Sequence, residues 1–220
     1  MRDTSVVHWE LLREVPPAEA RRVLAIARRR TFARGEVVFH EGDPADSLHL
    51  VAKGRFAVRV RTPLGEDAVL ALRGPGDAFG ELALVSGGEA VRSATVEALE
   101  QGETHAVYRR EFDRLRREHP GVGDVLVAVL ADQLRRTNVL VLDAYYATAE
   151  KRVLRRLRDV ALLYADGVVR LTQEDLASLA GTSRATVNKV LREEERRGTV
   201  ELTRGCCAVL DAEALARRAR

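Results

Sequence analysis

Two clusters of residues in this chain have types and spacings that could do chemistry. The first is Phe79-Gly80-Glu81-Leu82-Ala83-Leu84, followed by Val91-Arg92-Ser93-Ala94-Thr95-Val96. Gly80 permits close backbone approach. The N–H groups after it can point at an anion from the start of a short helix, and Arg92 with Ser93 offers that anion a charged fork and a hydroxyl. Together they would make a phosphate cradle. Glu81 would repel a phosphate, so it fits beside a neutral hydroxyl such as a ribose 2′-OH, which indicates a nucleotide rather than inorganic phosphate. The Arg92 side chain is expected to serve the anion and to be dispensable for packing.

The second cluster lies in LTQEDLASLAGTSRATVNKV, Leu171 to Val190. Ala177 is small where two helices would cross, Gly181 follows where a turn needs positive φ, and Val187 and Val190 come where the second helix packs on the first. Leu176 and Leu191 extend that buried face. Ser183 can cap the second helix and place its free N–H groups where a DNA phosphate would sit. Arg184, Ala185, Asn188, Lys189 and Arg192 then share the outward face, which is polar, basic and short-sided near its start, as a helix entering a major groove requires. Thr172, Ser183, Arg184, Ala185, Thr186, Asn188 and Lys189 form the candidate DNA-binding set. Any helix pair with a tight glycine turn shares the spacing, so the neighbouring elements have to support the reading.

Those elements follow from changes of period along the chain. Pro17 to Arg30 reads as a short amphipathic helix, with Ala20, Val23, Leu24 and Ala27 at helical spacing. From Thr31 to about Val107, short apolar alternations recur between glycine-centred turns: Val37 and Phe39; Leu48 and Leu50; Phe56, Val58 and Val60, with a turn at Pro63 to Gly65; then Val69 to Leu72. That pattern indicates an antiparallel barrel or jelly roll. Beyond Pro120 a long helix is expected from Val122 to Tyr146. Leu130, Leu134, Thr137, Val141 and Ala144 fall on alternating steps of four and three, the seam of a two-helix coiled coil. The alternative is a helix buried against its own domain; the polar run Arg135-Arg136-Thr137-Asn138 favours a seam that also meets a polar ligand. A third block opens at Thr148, a helix cap, with a helix from Lys151 to Leu163. It ends in a hairpin of Val200 and Leu202, a turn at Arg204-Gly205, and alternation through Leu210. Helices followed by that hairpin describe a winged helix-turn-helix. The fold class expected is α+β: a jelly-roll-like β-roll over 1–120, a dimerisation helix and hinge over 121–147, and a winged helix-turn-helix over 148–220.

Composition narrows the function. The chain has 220 residues, 46% of them hydrophobic, and a net charge of +3. From Ala149 onward there are 15 Lys or Arg against 11 Asp or Glu, so the positive excess sits in the last third, as a nucleic-acid-binding segment would show. The longest apolar run, Val125 to Ala131, is far short of a membrane span, and the start MRDTSVVHWELL has no secretory core. A cytoplasmic protein without a membrane partner is expected. Cys206 and Cys207 are adjacent, which suits neither a long-range disulfide nor spaced metal ligands, and they read as small thiols in a strand. His40, His49 and His105 form no His-x-His pair, which argues against a metal-dependent enzyme on a β-rich scaffold, and the spaced cysteines of an iron–sulfur protein are absent. No catalytic residue, metal or resident cofactor is expected.

Phe79 to Leu84 with Arg92-Ser93 resembles the phosphate-binding cassette of cyclic-nucleotide-binding domains. With the long helix and the winged helix-turn-helix, the chain resembles, from end to end, the Crp/Fnr superfamily of bacterial transcription regulators. Gln133-Leu134-Arg135-Arg136-Thr137-Asn138 and Leu215-Ala216-Arg217-Arg218-Ala219-Arg220 are similar to the cyclic AMP receptor proteins of actinobacteria. The resemblance implies that Gly80, Glu81, Leu82, Ala83, Arg92 and Ser93 hold the ribose and cyclic phosphate, and that Thr137 and Asn138 from paired long helices meet the adenine. It implies a homodimer that binds a pseudo-palindromic DNA site under control of cyclic AMP or a related nucleotide, with RNA polymerase as a further partner. A regulator of this type that binds DNA constitutively, or answers to another effector, is the alternative. Three places depart from relatives: the loop Val85 to Val91 is slightly longer, Gln133 stands where several cyclic AMP receptors have arginine, and Ala185 replaces a common glutamate.

Overall fold

The structure is a computed structural model and describes residues 15–61, 65, 67–85, 90–164, 166–203 and 205–219. Its elements in chain order are α1 (Pro17–Ile26), β1 (Arg28–Phe32), β2 (Val37–Phe39), β3 (Ser47–Lys53), β4 (Phe56–Arg61), β5 (Asp67–Arg73), β6 (Ala78–Phe79), α2 (Leu82–Val85), β7 (Thr95–Ala98), β8 (Gly102–Tyr108) and α3 (Arg109–Glu118). A 3-10 turn at Pro120–Val122 leads to α4 (Gly123–Tyr146), α5 (Ala149–Ala161), β9 (Val168–Val169), α6 (Gln173–Ala180), α7 (Arg184–Arg196), β10 (Val200–Thr203), β11 (Cys206–Val209) and α8 (Ala212–Arg218). Two compact units result: Leu72–Arg136 with the chain up to Val60, and Arg61–Ala71 with Thr137–Arg220.

The β-roll consists of two four-stranded sheets, ordered β1-β8-β3-β6 and β2-β7-β4-β5, with antiparallel pairing throughout the described registers. Alternating side chains explain its interior. Phe32, Val51, Phe56, Phe79, Val96 and Ala98 meet in one cluster, with Phe32 edge-on to Phe56 at 5.8 Å. Each such buried aromatic contributes about 1.5–3 kcal/mol over an exposed one. A second cluster joins Val23 of α1, Leu48 and Leu50 of β3, Val107, Phe112 of α3, Val122 of the 3-10 turn, and Val125 and Val129 of the first half of α4.

Three differences from the sequence reading have physical reasons. The first helix ends at Ile26, not Arg30, because Arg28 to Phe32 pair with β8 as an edge strand whose three arginines stay exposed. Helix α3 has no counterpart in the sequence reading: eight of its ten residues are charged, and it is held to the fold mainly by Phe112 and the half-buried Leu115. Strand β9 is only two residues long and is defined by pairing with β11, a long-range contact with no local signature. The long helix and the hairpin stand close to where periodicity put them. The turn at Pro63, Arg204, the loop residues 86–89, the first fourteen residues and Arg220 lie outside the described residues.

In the second unit, α5, α6 and α7 pack through Val153, Leu154, Leu157, Leu176, Ala177, Val187, Val190 and Leu191, all buried. Thr148 caps α5 by accepting from the Lys151 N–H. Asp143, buried near the end of α4, accepts from Arg155 and Arg156 of α5, which ties those helices together. Among the described residues no helix is long and apolar enough to cross a membrane, and no group of three or more His, Cys, Asp or Glu is placed to hold a metal ion.

Candidate ligand and DNA sites

Gly80 sits between β6 and α2 at φ +78°, a left-handed conformation that glycine adopts without strain. A Cβ there would come within 2.7 Å of Arg92 Nη1 and 3.0 Å of the Ser47 carbonyl. Backbone and guanidinium therefore lie in direct apposition. The Ala83 and Leu84 N–H groups close the first turn of α2 on the Gly80 and Glu81 carbonyls. Ala83 is buried under the cassette, Leu82 and Ser93 are exposed, and Glu81 is half-buried.

Arg92 departs from expectation. It is 5% exposed. Nη1 donates to the Ser47 carbonyl at 2.7 Å, and Nη2 donates to Ser47 Oγ at 3.0 Å and Asp46 Oδ1 at 3.1 Å. The guanidinium carbon lies 3.9 Å from the Phe39 ring centroid, a cation–π contact. Burial lowers its pKa, with Asp46, Asp43 and Glu81 opposing that shift. The expectation that this side chain is dispensable for packing is wrong, because a buried charge that satisfies a buried carbonyl is part of the fold. Sequence could not show this: Ser47 and Phe39 are far from Arg92 along the chain. Nε is buried without a hydrogen-bond partner among the described residues. An orphaned buried N–H beside a glycine turn is chemically suited to an anionic acceptor.

The polar support continues inward. Ser47 Oγ donates to Asp46 Oδ1 at 2.8 Å and lies 3.3 Å from His49 Nε2, while His49 Nδ1 lies 3.0 Å from Thr104 Oγ1. Reading motifs alone missed Asp46, Ser47 and His49. On the α4 side, Arg73 Nη2 donates to Gln133 Oε1 at 2.6 Å, and Arg136 pairs with Asp77 at 2.6 Å and with Asp132 at 2.7 Å. Gln133 is thus fixed by a buried arginine from β5, and Arg136 is committed to carboxylates. Thr137 and Asn138 are exposed on the part of α4 that clusters with the second unit.

The second site is built by caps. Thr172 accepts from the Asp175 N–H and Asp175 reaches back to the Thr172 N–H, a reciprocal capping box that starts α6. Gly181 ends that helix at φ +57°. Arg152 donates to the Ala180 and Gly181 carbonyls and so holds the turn against α5. Ser183 caps α7 by accepting from the Thr186 N–H at 3.2 Å. Arg184, Ala185, Asn188, Lys189 and Arg192 are exposed while Val187 and Val190 are buried, so one side of the helix packs on the domain and the other faces solvent. Thr186 is half-buried with its hydroxyl 3.0 Å from Ser183 Oγ, which makes it a partner of the cap. Beside this helix a cleft of about 470 Å³ is lined by Thr172, Gln173, Arg184, Leu202, Thr203 and Cys206, among others. Cys206 is half-buried, and burial pushes the Cys207 thiol up to about 12, which leaves it inert.

A β-roll in which Gly80 and Arg92 are apposed, followed by a long helix and a winged helix-turn-helix, is the architecture of a DNA-binding regulator with a ligand domain. Residues 29–119 match the family described as cyclic nucleotide-binding domain, and residues 151–218 match the Crp-like helix-turn-helix domain. The chain is 37% identical over 199 residues to the CRP-like cAMP-activated global transcriptional regulator of Mycobacterium tuberculosis, covering 86% of this chain and 87% of that one. It is 35% identical over 206 residues to the cyclic AMP receptor protein of Thermus thermophilus, covering 93% and 94%. The solved structure of a CRP-family transcriptional regulator, also from Thermus thermophilus, superposes with a TM-score of 0.73 at 28% identity, over 86% of this chain and 96% of that one. The chain belongs to the Crp/Fnr superfamily of DNA-binding transcription regulators.

Proposed function

We propose that cyclic AMP controls the DNA affinity of this regulator, which acts as a homodimer on a pseudo-palindromic site. The observation that carries the reading is Arg92: buried beneath Gly80, with an N–H that no described residue accepts, it is preorganised for a cyclic phosphate. Gly80, Glu81, Leu82, Ala83 and Ser93 complete the ribose and phosphate contacts. In this reading Thr137 and Asn138 supply the contact to the base. The names of its relatives, which describe cAMP-activated regulators, support the choice of nucleotide.

On DNA, one α7 from each protomer enters successive major grooves. Arg184 makes a bidentate bond to guanine, Lys189 reaches a second guanine or a phosphate, and the caps at Thr172 and Ser183 meet the backbone. RNA polymerase is the further partner this reading implies, and the cytoplasm is its compartment. The test is a calorimetric titration of the full chain with cyclic AMP and cyclic GMP. Saturable binding with cyclic AMP preferred is expected. Absence of binding by both would leave a regulator that answers to another effector or to none.

A further inference from the structure

Arg92 has five N–H hydrogens to place. Nη1 donates to the Ser47 carbonyl and reaches the Gly80 carbonyl at 3.5 Å, and Nη2 is divided between Asp46 and Ser47 Oγ. Only Nε, which is buried, is unengaged among the described residues. A phosphate grips arginine through two adjacent N–H groups. Nε shares its edge of the guanidinium with Nη2, so the edge with an open hydrogen is the one that Asp46 and Ser47 now help to occupy. For a phosphate to take that edge, Nη2 must give up a present partner.

The two partners differ in what release would cost. Ser47 is 3% exposed and its hydroxyl also lies against the His49 ring, so once released it would remain buried with its hydrogen bonding incomplete. The Asp46 side chain is 66% exposed and water can replace the guanidinium. Asp46 also carries the charge that an incoming phosphate meets as a repulsion.

We propose that Asp46 is an affinity-setting residue, which competes with the nucleotide phosphate for Nη2 of Arg92 and is displaced when the phosphate takes the Nε–Nη2 edge. The inference deepens the cyclic-nucleotide reading and rests on it. It also assigns Asp46 a part in selection by charge. A phosphomonoester carries close to two negative charges near neutral pH and a cyclic phosphodiester carries one, so Asp46 disfavours the open nucleotide more than the cyclic one.

The experiment titrates full-length wild type, Asp46→Asn and Asp46→Ala with cyclic AMP and with 5′-AMP by calorimetry. Asp46→Asn keeps the shape and one acceptor, and Asp46→Ala removes both. Both variants are expected to bind cyclic AMP about two- to fivefold more tightly, in keeping with an exposed carboxylate. The preference for cyclic AMP over 5′-AMP is expected to narrow in both. Equal or weaker binding of cyclic AMP by both variants, while wild type binds, would overturn the competition and leave the cyclic-nucleotide reading standing. Loss of the narrowing alone would overturn the selection by charge. Binding of neither nucleotide to any of the three proteins would overturn the cyclic-nucleotide reading and the competition together.

Discussion

The rings of His49 and Phe79 stack with centroids 5.1 Å apart and planes 7° from parallel. Burial first, and then the charges of Arg92 and Arg30, hold the His49 pKa down at about 3. The folded protein therefore keeps this ring neutral, whereas in the unfolded chain it titrates near 6.5. Below that value the unfolded state takes up a proton that the folded state refuses, so His49 withdraws stability as pH falls from about 6.5 towards about 3 and has no such effect above. The full slope is about 1.4 kcal/mol per pH unit. His49→Phe keeps the stack and removes the titration. Urea unfolding should show the variant gaining about 2 kcal/mol on wild type between about pH 7 and about pH 5. A constant difference across that range would contradict the assignment.

Arg92→Ala should destabilise the β-roll as well as remove its anion contact. The substitution takes away donors from the buried Ser47 carbonyl and hydroxyl, at a cost of about 2–3 kcal/mol. Urea unfolding in the absence of nucleotide reads this directly. A variant as stable as wild type would show that Arg92 contributes nothing to the fold.

Helix α4 presents Leu134, Val139, Val141 and Leu142 to solvent, the last at 58% exposure, while Leu130 packs partly on the core of the β-roll. Leu134 and Val141, seven residues apart, share one face of α4, and an exposed apolar face of this kind is suited to pairing with a second helix. Leu134→Glu with Val141→Glu should yield monomers in sedimentation velocity at concentrations where wild type is dimeric. An unchanged dimer would place the interface elsewhere.

Local patterns revealed much of this architecture. The alternations from Val37 to Leu72 and the four-three seam of α4 are statements about neighbours along the chain, and they located the roll and the long helix. The Gly181 turn and the Ser183 cap placed the exposed face of α7 in the same way. What depended on distant partners was hidden. Strand β9 exists through Cys207 and Ala208, and Arg28 to Arg30 form a strand because β8 pairs with them. The cradle shows the same division. Gly80 and Arg92 are recognisable as types, but the Asp46, Ser47 and His49 support comes from β3 and the residue before it, more than thirty residues earlier and brought alongside by sheet topology.

Ala185 stands exposed on α7 beside Arg184, where a glutamate could accept a hydrogen bond from the exocyclic amine of cytosine. Alanine offers only a methyl, suited to a thymine methyl. Selection from random duplexes should return a guanine opposite Arg184 and a relaxed or thymine-leaning neighbour. Ala185→Glu should add a cytosine preference there of about 1–3 kcal/mol. Identical preference at that pair in both proteins would move α7 off it.

If nucleotide in the Gly80–Arg92 cradle governs DNA affinity, fluorescence anisotropy reads that coupling. A labelled duplex recovered by selection is titrated with the full chain at fixed salt, with and without saturating cyclic AMP. Binding should tighten at least about tenfold with the nucleotide, equivalent to roughly 1.4 kcal/mol of coupling. Superimposable curves, with cyclic AMP shown by calorimetry to be bound, would contradict it.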